Sequence, residues 1–75
     1  MPKLPVVSGK EAIKAFGKLG YREVRAKGSH VRLRHPNPTS HKPLTVSLHK
    51  VLGPGLLRKL MRDAAISPKD FQKLL

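Results

Sequence analysis

The stretch KGSHVRLRHP, Lys27 to Pro36, sets a histidine at the start of an alternating strand, directly after a glycine-serine pair. Histidine has an ordinary pKa of about 6.5, so it gives or takes a proton near neutrality. Lys27, Arg32 and Arg34 flank His30, and a second histidine, His49, closes the apolar alternation Leu44, Val46, Leu48. An imidazole in a field of cations meets the requirements for moving the proton of a ribose 2′-hydroxyl beside a phosphate, with Lys or Arg stabilising the charge that develops. Spacing alone does not establish this chemistry, because a strand histidine is more often an ordinary exposed residue and a single cation more often part of a solvated face.

Other chemistries fit less well. His30, His35, His41 and His49 show no tight ligand spacing and have no thiolate or carboxylate beside them, which argues against a metal site, and no cofactor is expected. Four acidic residues are too few for paired-carboxylate catalysis, and Glu11 has a better use as a helix cap. Ser29 and His30 are neighbours on a strand, whose side chains point to opposite faces, so they are no nucleophile pair. Gly53 and Gly55 around Pro54 lack the Lys and Ser/Thr that a phosphate loop needs and read as a helix start. His35 and His41 fall in a proline loop, away from the chemistry.

The elements that must position His30 follow from periodicity. Ser8 with Glu11 three residues on predicts a capping box and a first helix from about Gly9, with Ala12, Ile13, Phe16 and Leu19 on one face and Gly20 as a left-handed stop. Gly17 is costly within that helix and is expected where a strand approaches closely. From Tyr21 the period becomes two, with Val24 and Ala26 set against Glu23, Arg25 and Lys27, a first strand. Gly28-Ser29 is a hairpin turn, and in the second strand Val31 and Leu33 alternate with His30, Arg32 and Arg34. The stretch HPNPTSHKP is a loop, and Leu44, Val46 and Leu48 mark a third strand. Pro54 opens a second helix with a stripe of Leu57, Leu60, Met61 and Ala64, and Ser67-Pro68 caps a short last one, in which Phe71, Leu74 and Leu75 pack.

A three-stranded antiparallel sheet with helices on one side leaves its other face wet. Val31, Leu33, Val46 and Leu48 take the buried side by period alone. Pairing Val31 with Leu48 and Leu33 with Val46 sets His30 opposite His49; a slip by two sets Ser47 there.

The 75-residue chain predicts a single domain, residues 1–75, with no large enclosed site. Sixteen Lys and Arg against four Asp and Glu give a formal charge of +12 and point to a polyanionic or acidic partner. The basic residues are spread through every segment, which indicates a folded basic surface and not a tail. Lys3, Pro5 and Ser8 break up the apolar start, so no signal peptide or membrane span is expected, and the absence of cysteine suits a reducing cytosol.

The run SGKEAIKAFGKLGYREVRAKGSHVRLRHP, followed by LTVSLHK and PGLLRKLMRDAAIS, resembles the HicA family of bacterial toxins, which cleave messenger RNA. The resemblance extends from about Ser8 to Leu75. It implies an α+β fold of α-β-β-β-α order, like a double-stranded-RNA-binding domain, with a short C-terminal helix. It also implies a metal-independent endoribonuclease and an antitoxin partner of the HicB family. The family's catalytic histidine, in the glycine-serine-histidine turn, corresponds to His30, and His49 assists or lines the site. Lys27, Ser29, Arg32 and Arg34 are the expected RNA contacts. The sequence departs from the family in the short apolar KVL before Gly53 and in Leu56, where a small polar residue is usual. Two alternatives belong to other classes: a non-catalytic module that reads A-form RNA by shape, and a helix-turn-helix made of the last two helices.

Overall fold

The computed structural model describes residues 4–75; Lys3 and the other residues before Leu4 lie outside it. The order is α1 (Gly9–Leu19), β1 (Arg22–Lys27), β2 (His30–Arg34), β3 (Leu44–Ser47), α2 (Pro54–Asp63) and α3 (Pro68–Leu74). The strands form one antiparallel sheet in the order β1-β2-β3. The architecture is α+β and consistent with a double-stranded-RNA-binding-like fold. No helix of the described residues is long and apolar enough to cross a membrane.

Local sequence sets each helix boundary. The Ser8 hydroxyl accepts the Glu11 N–H at 3.1 Å and the Glu11 carboxylate accepts the Ser8 N–H at 3.0 Å, the reciprocal cap expected. Gly20 ends α1 at φ 118°, in the left-handed region. Pro54 opens α2, and the Ser67 hydroxyl accepts the Asp70 N–H to start α3. The helices cover one face of the sheet, where Ala12 and Phe16 of α1, Leu57, Leu60 and Met61 of α2 and Phe71 of α3 close over Val31, Leu33, Leu44 and Val46. Phe71 lies 5.1 Å from Phe16, centroid to centroid, which packs α3 on α1. Leu75, expected in this packing, is exposed.

Three features differ from the sequence reading. β2 and β3 pair Val31 with Val46 and Leu33 with Leu44, so Ser47, and not His49, stands opposite His30. Both registers match apolar to apolar; burial of Leu44 and the bond from the Gly9 N–H to the His49 carbonyl, at 2.9 Å, select the observed one. Leu48 accordingly passes beyond the strand and is partly exposed. In β1, the alternation breaks at a bulge between Glu23 and Arg25, and every residue of this uncovered edge strand is exposed, Val24 included. Finally, no atom approaches the place of a Cβ on Gly17, whereas one on Gly9 would meet the backbone of Ser47 and Leu48, so the close approach of helix and strand is at Gly9.

Candidate active site

The hairpin turn fixes the candidate residues. Gly28 has φ 59°, as the first central position of a II′-type turn requires, and the turn sets Lys27 directly opposite His30. His30 therefore has Lys27 on one side and Ser47 on the other, at cross-strand distance. The Leu48 N–H donates to the Ser29 carbonyl at 2.7 Å and carries the β2-β3 pairing one bond past His30, which anchors the turn.

The wet face of the sheet holds an open cleft of about 750 Å³ lined by Val24, Arg25, Lys27, His30, Arg32, Arg34 and Thr45. Lys27, His30, Arg32 and Arg34 are thus brought together as sequence reasoning expects. The Arg32 Nη1 donates to Thr45 Oγ1 at 2.9 Å, which holds the guanidinium against the sheet. Ser29 is in the turn and outside the lining, and its carbonyl is taken by Leu48. His49 is exposed, two residues past Ser47, and also outside the lining. An exposed imidazole between a Lys ammonium and a Ser hydroxyl, with guanidinium groups further along the same face, can exchange a proton with a bound group while the cations hold its anionic part.

Reasoning from sequence missed Thr45 as a support of Arg32 and Val24 as part of the cleft. Thr45 shares the parity of Ser47 and was readable as a wet-face residue. Val24 was not readable, because the bulge that turns it outward leaves no mark in the alternation.

The other two histidines have structural roles. The His35 Nε2 donates to the Leu19 carbonyl at 3.0 Å while its Nδ1 accepts the Asn37 N–H at 3.0 Å. His41 Nδ1 donates to the Ala64 carbonyl at 2.6 Å. Their rings lie 4.1 Å apart beside Tyr21 and pin the β2-β3 loop to the ends of α1 and α2. Among the described residues, no group of three His, Asp or Glu side chains could hold a metal ion.

Comparison with protein families matches residues 9–66 to the family described as HicA toxin of bacterial toxin-antitoxin. The matched segment runs from the start of α1 through the turn after α2 and includes the whole cleft. No curated protein matches the chain.

Proposed function

The chain belongs to the HicA toxin family of bacterial toxin-antitoxin systems, and from that premise we propose that it is a metal-independent endoribonuclease that cuts messenger RNA with His30. The observation that carries the proposal is the placement of His30 at the mouth of the hairpin, exposed, beside Lys27 and in one cleft with Arg32 and Arg34. His30 takes the proton of the ribose 2′-hydroxyl, the P–O2′ bond forms and the P–O5′ bond breaks. The departing 5′-oxygen takes a proton from water, which the open cleft admits. The products are a 2′,3′-cyclic phosphate and a 5′-hydroxyl end. Lys27 stands where it stabilises the charge gathering on the phosphate. His49 is not the residue opposite His30 in the sheet, and in this reading its part in proton transfer is secondary to that of His30.

The partner in this reading is an acidic HicB-like antitoxin, which covers His30 and sets carboxylates against Arg32 and Arg34. The site of action is the cytoplasm, where messenger RNA is.

Cleavage of a defined RNA in the presence of a metal chelator tests the assignment, with the chain compared to His30→Ala after circular dichroism shows that both are folded. We expect chelator-resistant cutting by the native chain and a loss of at least about 100-fold in the variant. RNA binding without cutting in both would instead support the non-catalytic RNA-binding module.

A further inference from the structure

The bulge at Val24 changes which cations share the face of His30. In an unbroken ladder, the residues of β1 on the face of Lys27 would be Arg25 and Glu23, and Arg22 would turn toward the helices. The extra residue reverses the phase at that end of the strand: Glu23 stands opposite the buried Leu33, on the helix side, and Arg22 stands opposite Arg34, on the wet side. Three cross-strand rungs then follow one another on the face of His30: Lys27 with His30, Arg25 with Arg32, and Arg22 with Arg34.

Successive rungs are two residues apart along β2, about 6.6 Å. That step is comparable to the distance between neighbouring phosphates of an extended polynucleotide strand. Arg32 is held in place by Thr45. The four carboxylates all lie elsewhere: Glu23 on the helix side, Glu11 in the cap of α1, Asp63 against Lys59 and Asp70 against Lys73. Nothing anionic therefore interrupts the ladder.

We propose that these rungs bind the phosphates of one extended RNA strand in succession, with the cleaved phosphate at Lys27 and His30 and the next two, on one side of the cut only, at Arg25–Arg32 and Arg22–Arg34. The inference rests on the ribonuclease reading and adds to it a path for the substrate and two residues, Arg22 and Arg25. The ladder is a single file two β-strands wide, which suits one backbone and not the paired backbones of an A-form duplex. The side of the cut away from Arg25 runs off the hairpin turn, and among the described residues β1 and β2 continue no cross-strand pair of cations there.

The test uses the full chain and a fluorescent RNA with a single 2′-deoxy nucleotide at the cleavage position, so that it binds uncut, with affinity measured by anisotropy across a salt series. We expect neutral methylphosphonate linkages at the two positions on one side of the cut to weaken binding at least about 10-fold, and the same pair on the other side to leave it within about twofold. We expect Arg22→Gln/Arg25→Gln to lower the slope of log affinity against log salt by about 1.4, at about 0.7 per lost single-strand contact. Lys10→Gln/Lys69→Gln removes the same charge from the exposed helix surfaces and serves as the control, expected to keep the slope. Equal losses on both sides of the cut, or equal slopes for the two double variants, would overturn the ladder. Cleavage of the unmodified RNA by the native chain, run in parallel, separates this failure from that of the ribonuclease reading, which fails if no cutting occurs whatever the slopes.

Discussion

The ring of Tyr21 lies edge-on to Phe16, His35 and His41, and its hydroxyl donates to the Lys42 carbonyl at 2.7 Å. One side chain thus ties the end of α1 to the loop that returns the chain to β3. Burial, with a smaller contribution from the nearby charge of Asp63, pushes the phenol up to about 12 from its ordinary 10. The folded state therefore favours the protonated phenol. The stability this provides is complete below pH 10, where the unfolded phenol is still protonated, and is lost as pH rises from 10 through 12. Tyr21→Phe removes the hydrogen bond at a cost of about 1 kcal/mol at neutral pH. Urea unfolding from pH 8 to 12 should show the native chain ahead at the low end and that lead lost by pH 12, because about 2 kcal/mol drains from the native chain alone through this phenol. A constant gap between the two chains across the range would show that Tyr21 ionises equally in both states. The two histidines beside it, His35 and His41, bond backbone groups, whereas among the described residues none bonds the ring of His30, which leaves that imidazole open to a substrate.

The two glycines of α1 make opposite demands on the helix. Gly9 is buried against β3, where a Cβ would lie 2.8 Å from Leu48 Cα and against the Ser47 backbone, while its N–H holds the His49 carbonyl. Gly9→Ala must push α1 off the sheet and should cost about 1–3 kcal/mol. Gly17 is exposed with open space around it, so Gly17→Ala should gain about 0.5–1 kcal/mol from helix propensity. Thermal melts of the two variants should move in opposite directions, and a stabilised Gly9→Ala would contradict the close approach. Helix starts, stops and apolar faces were legible in the sequence because caps and periodicity are local. Ser8, Glu11, Gly20, Pro54 and Ser67 each act within a few residues of themselves. The β2-β3 register was not legible, since a shift of two residues keeps every apolar side chain on the same face and only the contacts of Leu44 and Gly9 decide between the pairings. The bulge in β1 was hidden for a related reason. An edge strand with no helix over it need not alternate by burial, so Val24 looks like a core residue and is not one. His30, Lys27, Arg32 and Arg34 survive both errors because they are fixed by the parity of β2 and the two-residue turn, which are local.

At 8.3 kDa and +12, the molecule carries cations on both faces and keeps its acidic side chains off one of them. Three of its four carboxylates belong to the helices, in a cap or paired with lysine, and the fourth turns to the helix side of the sheet, which leaves the wet face purely cationic. Such a face raises encounter rates with any polyanion and does so in a salt-dependent way. In the proposed reading, RNA and an acidic antitoxin would therefore compete for the same surface, the cleft with Arg25, Lys27, Arg32 and Arg34. Charge reversal separates steering from contact. Arg34→Glu lies four residues along β2 from His30, so in stopped-flow association with a HicB-like antitoxin it should lower the association rate about 10-fold or more at low salt. The difference from the native chain should shrink as salt is raised, because screening removes the long-range part. The dissociation rate should rise as well, because the carboxylate set against Arg34 would then meet a like charge, and this part should persist at high salt. An association rate unchanged by Arg34→Glu would place the antitoxin elsewhere on the molecule. In that case its inhibition of cleavage could not be simple coverage of His30, and RNA bound to the cleft would leave antitoxin binding undisturbed.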